Sequence, residues 1–273
     1  MKPGIYYDIS NEDYHKGEGV SKSMLDKVAK TPALLNWDRD APEDEEKRTA
    51  LDMGTALHCL LLEPDEFDNR FIKAPEFNRR TNEGKQEEKE FIEGCKNTGK
   101  IIMDYEQHRK LQLMRDSVMA HPGGRKIFEH DGTCETSIYW DDPETGELCR
   151  IRPDKLIPDE NLIVDVKKVS GINKFPSNIE EYRYHVQDAM YSEGYRQHTG
   201  GIIPTFCFLA VSESIDCGKY PVRLFVLDQY DREVGFDLFR RDLNTYHECR
   251  QKGNFGLGFE VVQRPEWARR RDE

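Results

Sequence analysis

Two aspartates and a lysine sit in adjoining short apolar segments. Asp154 closes the Arg152-Pro153-Asp154 triplet, and Asp165-Val166-Lys167 lies inside LIVDVKK. In an extended strand, residues two apart share a face, so Asp165 and Lys167 point the same way while Val166 points into the core. A carboxylate pair can hold a hard cation such as Mg²⁺ against a phosphate. A lysine ammonium beside it can position or help deprotonate an attacking water and stabilise charge on the phosphorus oxygens. A surface Lys–Asp ion pair has the same spelling, so the pattern gains meaning only from its surroundings.

Three further sets of residues supply those surroundings. His58 lies on GTALH with Gly54 four residues earlier, so both occupy one helix face; it could give an imidazole nitrogen to a metal or be a packed core histidine. Glu135, in CETSIYW, could add a carboxylate near the metal or face solvent on a strand. Gln187 and Tyr191 are four apart in HVQDAMY. They face one direction, from which an amide and a phenol could orient the lysine, the water or a phosphate, although packing alone also accounts for Tyr191.

The elements that must carry these groups follow from periodicity and punctuation. Residues 21–30 read as a short helix that serines could cap and Thr31-Pro32 would end, 49–64 as a buried helix carrying His58, and 82–97 and 104–120 as two more helices. APEDEEKR (41–48) reads as a surface loop or helix start. Residues 134–140 alternate as a strand, the turn-forming 141–147 follow, and 148–157 can return as its partner, with a third strand over 161–168. A long helix over 177–198, strands over 205–212 and 220–228, and a closing helix over 229–251 complete the order.

Bulk properties fit a folded enzyme-sized chain. Of 273 residues, 34% are charged and 37% hydrophobic, with 13 Phe, 12 Tyr and 3 Trp, which is globular rather than disordered composition. The expected organisation is one continuous domain over 1–273: a helical part to about 130, a catalytic sheet–helix core over about 131–228, and a closing helix with a basic tail over 229–273. No apolar run reaches the roughly 20 residues of a membrane span and the N-terminus lacks signal-peptide regions, so a cytoplasmic protein is expected. Seven cysteines, none in a C-x-x-C pair, argue against a disulfide framework and give no zinc or iron–sulfur spacing. A formal charge of −12 does not suggest a protein that coats nucleic acid by bulk attraction. Local basic clusters at 77–85, with Arg79 and Arg80, and at 264–273 leave room for a positive track, or are solvated surface.

The ordered series G-x-x-x-H (54–58), Glu135, R-P-D (152–154), D-V-K (165–167) and Q-x-x-x-Y (187–191) resembles the motif set of the RecB-like branch of the PD-(D/E)xK nucleases. GIYYDISNEDYH, SKSMLDKVAKTPAL, APEFNRRTNEGKQEEK, SIYWDDPETG, RPDKLIP and YRYHVQDAMYSEGY extend the likeness to the RecE-type exonuclease family over nearly the whole chain. The resemblance implies a mixed β-sheet flanked by helices, an α/β restriction-endonuclease-like core. It further implies an exonuclease using Mg²⁺, with Mn²⁺ as a substitute, that enters linear double-stranded DNA ends, digests the 5′-terminated strand and leaves a 3′ tail for a RecT-type annealing protein. Carried over by position, His58, Asp154, Asp165 and the Val166 carbonyl would be metal ligands and Lys167 the catalytic lysine, with Gln187, Tyr191 and Glu135 supporting. Ser21 or Ser23 at a helix start could meet a DNA phosphate, though capping competes, and Arg79, Arg80 and Arg152 are cationic candidates for DNA. Lys168 stands where relatives often carry a small hydroxyl residue. A homo-oligomeric ring around DNA would reconcile the negative charge with a basic interior. The competing readings are a Cas4- or AddB-like nuclease, which usually has a four-cysteine iron–sulfur cluster, and an inactive DNA-end-binding assembly protein.

Overall fold

In the computed structural model, residues 1–39, 41–42, 52–256 and 262–271 are described. The expected loop at 41–48 lies largely outside them, as do the first residues of the 49–64 segment and the last two of the basic tail. In chain order the elements are β1 (Gly4–Tyr6), α1 (Asn11–Lys16), α2 (Lys22–Lys30), α3 (Ala33–Arg39), α4 (Met53–Leu62), α5 (Phe67–Arg70), β2 (Phe71–Lys73), α6 (Asn82–Cys95), β3 (Ile101–Met103), α7 (Tyr105–Ala120) and α8 (Pro122–Glu129). There follow β4 (Thr133–Cys134), β5 (Ser137–Asp141), β6 (Leu148–Ile151), β7 (Lys155–Ile157), β8 (Leu162–Val169), α9 (Phe175–Glu181), α10 (Tyr184–His198), β9 (Thr205–Ser212), β10 (Val222–Phe225), α11 (Gln229–Gln251) and α12 (Glu266–Arg269). None of the described helices is long and apolar enough to cross a membrane.

The central sheet has the order β10-β9-β8-β7-β4. It is mixed: β8 and β9 run parallel, with Asp165 opposite Phe208 and Lys167 opposite Ala210, while the other neighbours are antiparallel. Alternation along β8 and β9 feeds two apolar layers. Ile163, Phe206 and Phe208 pack with Val186 and Met190 of α10 and Phe239 and Leu243 of α11. Val164, Val166, Leu209 and Val211 pack on the other face with Ala56, Leu57 and Leu60 of α4 and Leu111, Met114 and Val118 of α7. Because residues two apart share a face, Asp165 and Lys167 open on the α10 side, while His58 approaches β8 from the α4 side.

The expected three-strand meander is corrected by the structure. The 134–140 segment breaks after Cys134, where Glu135 takes φ 52°, so β4 joins the central sheet and β5 a separate one. The returning 148–157 segment breaks likewise at Arg152-Pro153-Asp154. Proline has no N–H to donate to a ladder, and β6 and β7 consequently part there. β6 pairs with β5, which pairs with β1, and β7 pairs with β4 and β8. The expected 177–198 helix is likewise two helices, divided at Arg183, which sits at φ 54°. The 82–97 helix ends at Cys95, the 220–228 strand is confined to Val222–Phe225, and the closing helix runs over 229–251 as expected.

α10 and α11 are held close by a glycine. A Cβ on Gly235 would fall 2.2 Å from the His185 carbonyl oxygen, nearer than any real contact. Gly235→Ala must therefore push α11 off α10, at a cost of roughly 1–3 kcal/mol for overpacking a tight interface. A denaturant titration should show a lower midpoint with an unchanged slope, and an unshifted midpoint would contradict this packing.

Candidate active site

The splayed end of β7 and β8 creates the site. Asp154, one residue beyond the last β7–β8 pair at Lys155 and Val164, accepts the Val166 N–H through Oδ2 at 2.6 Å. The Val166 carbonyl is 2.7 Å from His58 Nε2, and His58 Nδ1 is 3.5 Å from Asp154 Oδ2. α4 brings His58 there with its first turn fixed by Asp52, whose carboxylate accepts the Gly54 N–H and the Thr55 hydroxyl, each at 2.9 Å. Asp52 therefore replaces a missing helical carbonyl partner at the start of α4.

Glu135 enters from the break between β4 and β5. Its N–H donates to the Asp154 carbonyl at 3.1 Å, and Arg152 lies 3.0 Å from its carboxylate. One ligand-type atom each from His58, Glu135 and Asp154 lies within 4.8 Å of the others. Two carboxylates and an imidazole converging in this way fit a divalent cation, with oxygen donors suited to Mg²⁺ or Mn²⁺. The same groups line a hollow of about 270 Å³, together with Arg152 and Tyr191. A larger groove of about 650 Å³ between α10 and α11 shares no lining residue with it, so size does not mark the chemistry.

Asp165 is held apart from this trio. Its carboxylate takes the Gln187 amide on one oxygen and lies 2.6 Å from the Lys167 ammonium through the other. Lys167 also stands 4.7 Å from the centre of the Tyr184 ring, over its face. Tyr191 packs edge-on against Phe206 at 5.8 Å, and burial holds its phenol well above the ordinary tyrosine range, so it stays neutral.

The electrostatics are those of a site built around a positive charge. Burial pushes the Asp154 carboxyl up to about 6 against the pull of His58, with repulsion from Asp165 adding to the rise and Lys167 and the Val166 N–H opposing it. Burial and the Asp154 charge push Glu135 up to about 7 against the pull of Arg152 and His58. Burial alone would lower His58 and Lys167, yet Asp154 and Asp165 raise both. Lys167 is consequently an ammonium here, a donor and charge stabiliser rather than a base.

The remaining sequence candidates are placed as follows. Ser21 caps α2, accepting the Met24 N–H at 3.4 Å, with its hydroxyl 3.0 Å from that of Ser23. Arg79 is bound bidentately to Glu88 on α6, and Arg80 is exposed beside Asn78, outside the residues lining the site. Arg152, expected as a DNA contact, is turned inward instead. Its side chain is 9% exposed, and it donates to the Ile9 and Ser10 carbonyls while bracing Glu135. Lys168 points to the opposite face from Lys167, 2.9 Å from Glu213. Tyr184 was missed as a site residue, although the alternation of aromatic and basic residues in YRYH carried a signal.

Glu135, Asp154 and His58 all bind protons more tightly folded than in ordinary peptides. Their stability contribution is thus complete below the unfolded values and lost as pH rises through the folded ones. Without metal, the melting temperature should fall between about pH 5 and about pH 8, and saturating Mg²⁺ or Mn²⁺ should restore it by mass action. A metal-free melting temperature that rises over this window would contradict the assignment. Asp154→Asn should abolish most of the metal-induced shift.

The profile of a family described as "PDDEXK-like domain of unknown function (DUF3799)" matches residues 21–256. Among solved structures, a protein of Eubacterium rectale described as a candidate exonuclease superposes with a TM-score of 0.58 at 15% identity, covering 94% of each chain. A phage-related exonuclease of Haemophilus somnus 129PT gives a TM-score of 0.27 at 10% identity over 77% of this chain and 100% of its own. No curated protein matches the chain. With a mixed sheet flanked by helices and the motif residues gathered at one end of β8, the chain belongs to the PDDEXK-like domain family.

Proposed function

We propose that the protein is a Mg²⁺-dependent exonuclease that hydrolyses the 5′-terminated strand of linear double-stranded DNA from its ends, leaving a 3′ single-stranded tail for recombination by annealing. The observation that carries the nuclease reading is the Lys167 ammonium at 2.6 Å from Asp165, beside the convergent His58, Glu135 and Asp154. Attack on a phosphodiester builds negative charge on the phosphorus oxygens and needs a fixed cation there. Lys167 is positioned for this by Asp165 and by the Tyr184 ring, and Gln187 in turn fixes Asp165. His58, Asp154 and the Val166 carbonyl, with Asp165 or Glu135 completing the set, would hold the metal. When bound, Mg²⁺ supplies charge to a phosphate oxygen and acidifies a coordinated water. Tyr191, kept neutral by burial, supplies a phenol at the same hollow.

The exonuclease mode, the strand polarity, the annealing partner and a homo-oligomeric ring rest on the RecE-type resemblance of the motif series. A ring would let a chain of net charge −12 keep hold of DNA, because encirclement replaces bulk attraction.

Wild-type protein with Mg²⁺ should release nucleotides from linear duplex DNA and leave closed circles intact. Asp165→Ala and Lys167→Ala should each lower the rate by about 100-fold or more while end binding persists, as expected for loss of a preorganised charge. Wild-type protein that binds ends and releases nothing would sink the enzyme reading in favour of an assembly protein. Separate labelling of the two ends tests polarity, and preferential loss of 3′-end label would reverse it.

A further inference from the structure

We infer that Tyr182 is a stacking platform for an unpaired nucleobase of the strand being cut, an inference that rests on the nuclease reading above. A stepped series of rings leads from the core to solvent beside the site. Phe208 is fully buried, Tyr184 stacks on it at 5.4 Å and 28°, and Tyr182 follows at 5.7 Å and 31° from Tyr184. Tyr182 is 49% exposed, so the series ends in a ring open to water. The Lys167 ammonium lies 4.7 Å from the Tyr184 centre, which places the open ring one aromatic step from the reacting group.

The backbone that presents Tyr182 is unusually constrained. Arg183, between the two tyrosines, occupies left-handed backbone space at φ 54°, where a Cβ crowds the following carbonyl oxygen. Three partners compensate: Lys22 of α2 donates to the Tyr182 carbonyl at 2.6 Å, and Arg183 pairs with Asp26 of α2 at 3.0 Å and with Asp242 of α11. The outer ring is thereby held from its main chain, leaving its face free.

A base suits this surface better than a phosphate. The cations beside the ring are already matched: Lys22 lies 2.7 Å from Asp26, and Arg183 is paired twice. What remains unoccupied is a ring face. Base–aromatic stacking is tolerant of sequence because every base has a π-face, as an enzyme travelling along arbitrary DNA requires. Inside a duplex both faces of a base are covered, so the platform selects a frayed or unpaired base at the end under attack.

Two arms test this. In EDTA, so that nothing is cut, a duplex with a frayed end carrying 2-aminopurine should be quenched by wild type and by Tyr182→Phe. Tyr182→Ala should bind it about 5- to 100-fold more weakly, the worth of one stack. With Mg²⁺, replacing the terminal nucleotide by an abasic one should raise the wild-type KM towards that of Tyr182→Ala and leave Tyr182→Ala unaffected. Equal quenching by wild type and Tyr182→Ala, or no quenching by wild type, overturns the inference, and so does an abasic penalty of the same size in both proteins. Hydrolysis by wild type with an indifferent Tyr182→Ala removes the platform alone, whereas quenching without hydrolysis removes the nuclease reading alone. Unchanged thermal midpoints confirm that the variants fold, since the Lys22 bond is to a carbonyl that every substitution keeps.

Discussion

The Asp154 carboxylate receiving the Val166 N–H is the bond on which the rest of the site depends. It takes the place of a ladder bond where β7 has ended, so β8 continues as an ordered strand without a partner strand on that side. Because the carboxylate is spent on β8, it sits at a fixed height relative to Asp165 and Lys167 on the same strand. The Val166 carbonyl, pointing to the same side, is then available to His58. Two strands, α4 and the β4–β5 break are thus referenced to a single residue, Val166, and its neighbour Asp154 in space. Such a shared reference holds groups from four segments in one fixed arrangement.

Much of this was legible in the amino-acid order. The alternation in LIVDVKKV placed Asp165 and Lys167 on one face and Val166 in the core, and the Gly54–His58 spacing placed a histidine on a helix face. Both are short-range periodicities that tertiary packing does not alter. The strand boundaries were less readable, because breaks at Glu135 and at Pro153 are decided by which sheet each half can join, a long-range matter. Arg183 was unreadable for the same reason. Its left-handed backbone is bought by Asp26 and Asp242, neither near it in sequence. Arg152 shows the converse limit: a basic residue in a nuclease motif invites a role in binding DNA, and its neighbours in space, two carbonyls and Glu135, were not readable from the order of residues.

The charge pattern of the site is that of carboxylates gathered close together. Asp154 is driven upward by burial and by Asp165, and Glu135 by burial and by Asp154, which is an unfavourable arrangement for a folded protein in the absence of a cation. The strain is local and is offset by the apolar layers on either face of β8. The clustered carboxylates therefore suit a cation, and Asp165 and Asp154 hold Lys167 as an ammonium.

The unpaired side of β8 has a consequence for solubility as well. Among the described residues no strand pairs with that edge beyond Val164, and an exposed ladder edge is a template for intermolecular sheet growth. At Val166 the amide and carbonyl are both capped, by Asp154 and His58. The candidate metal ligands Asp154 and His58 are thus also edge guards, occupying at Val166 the two groups that another strand would need.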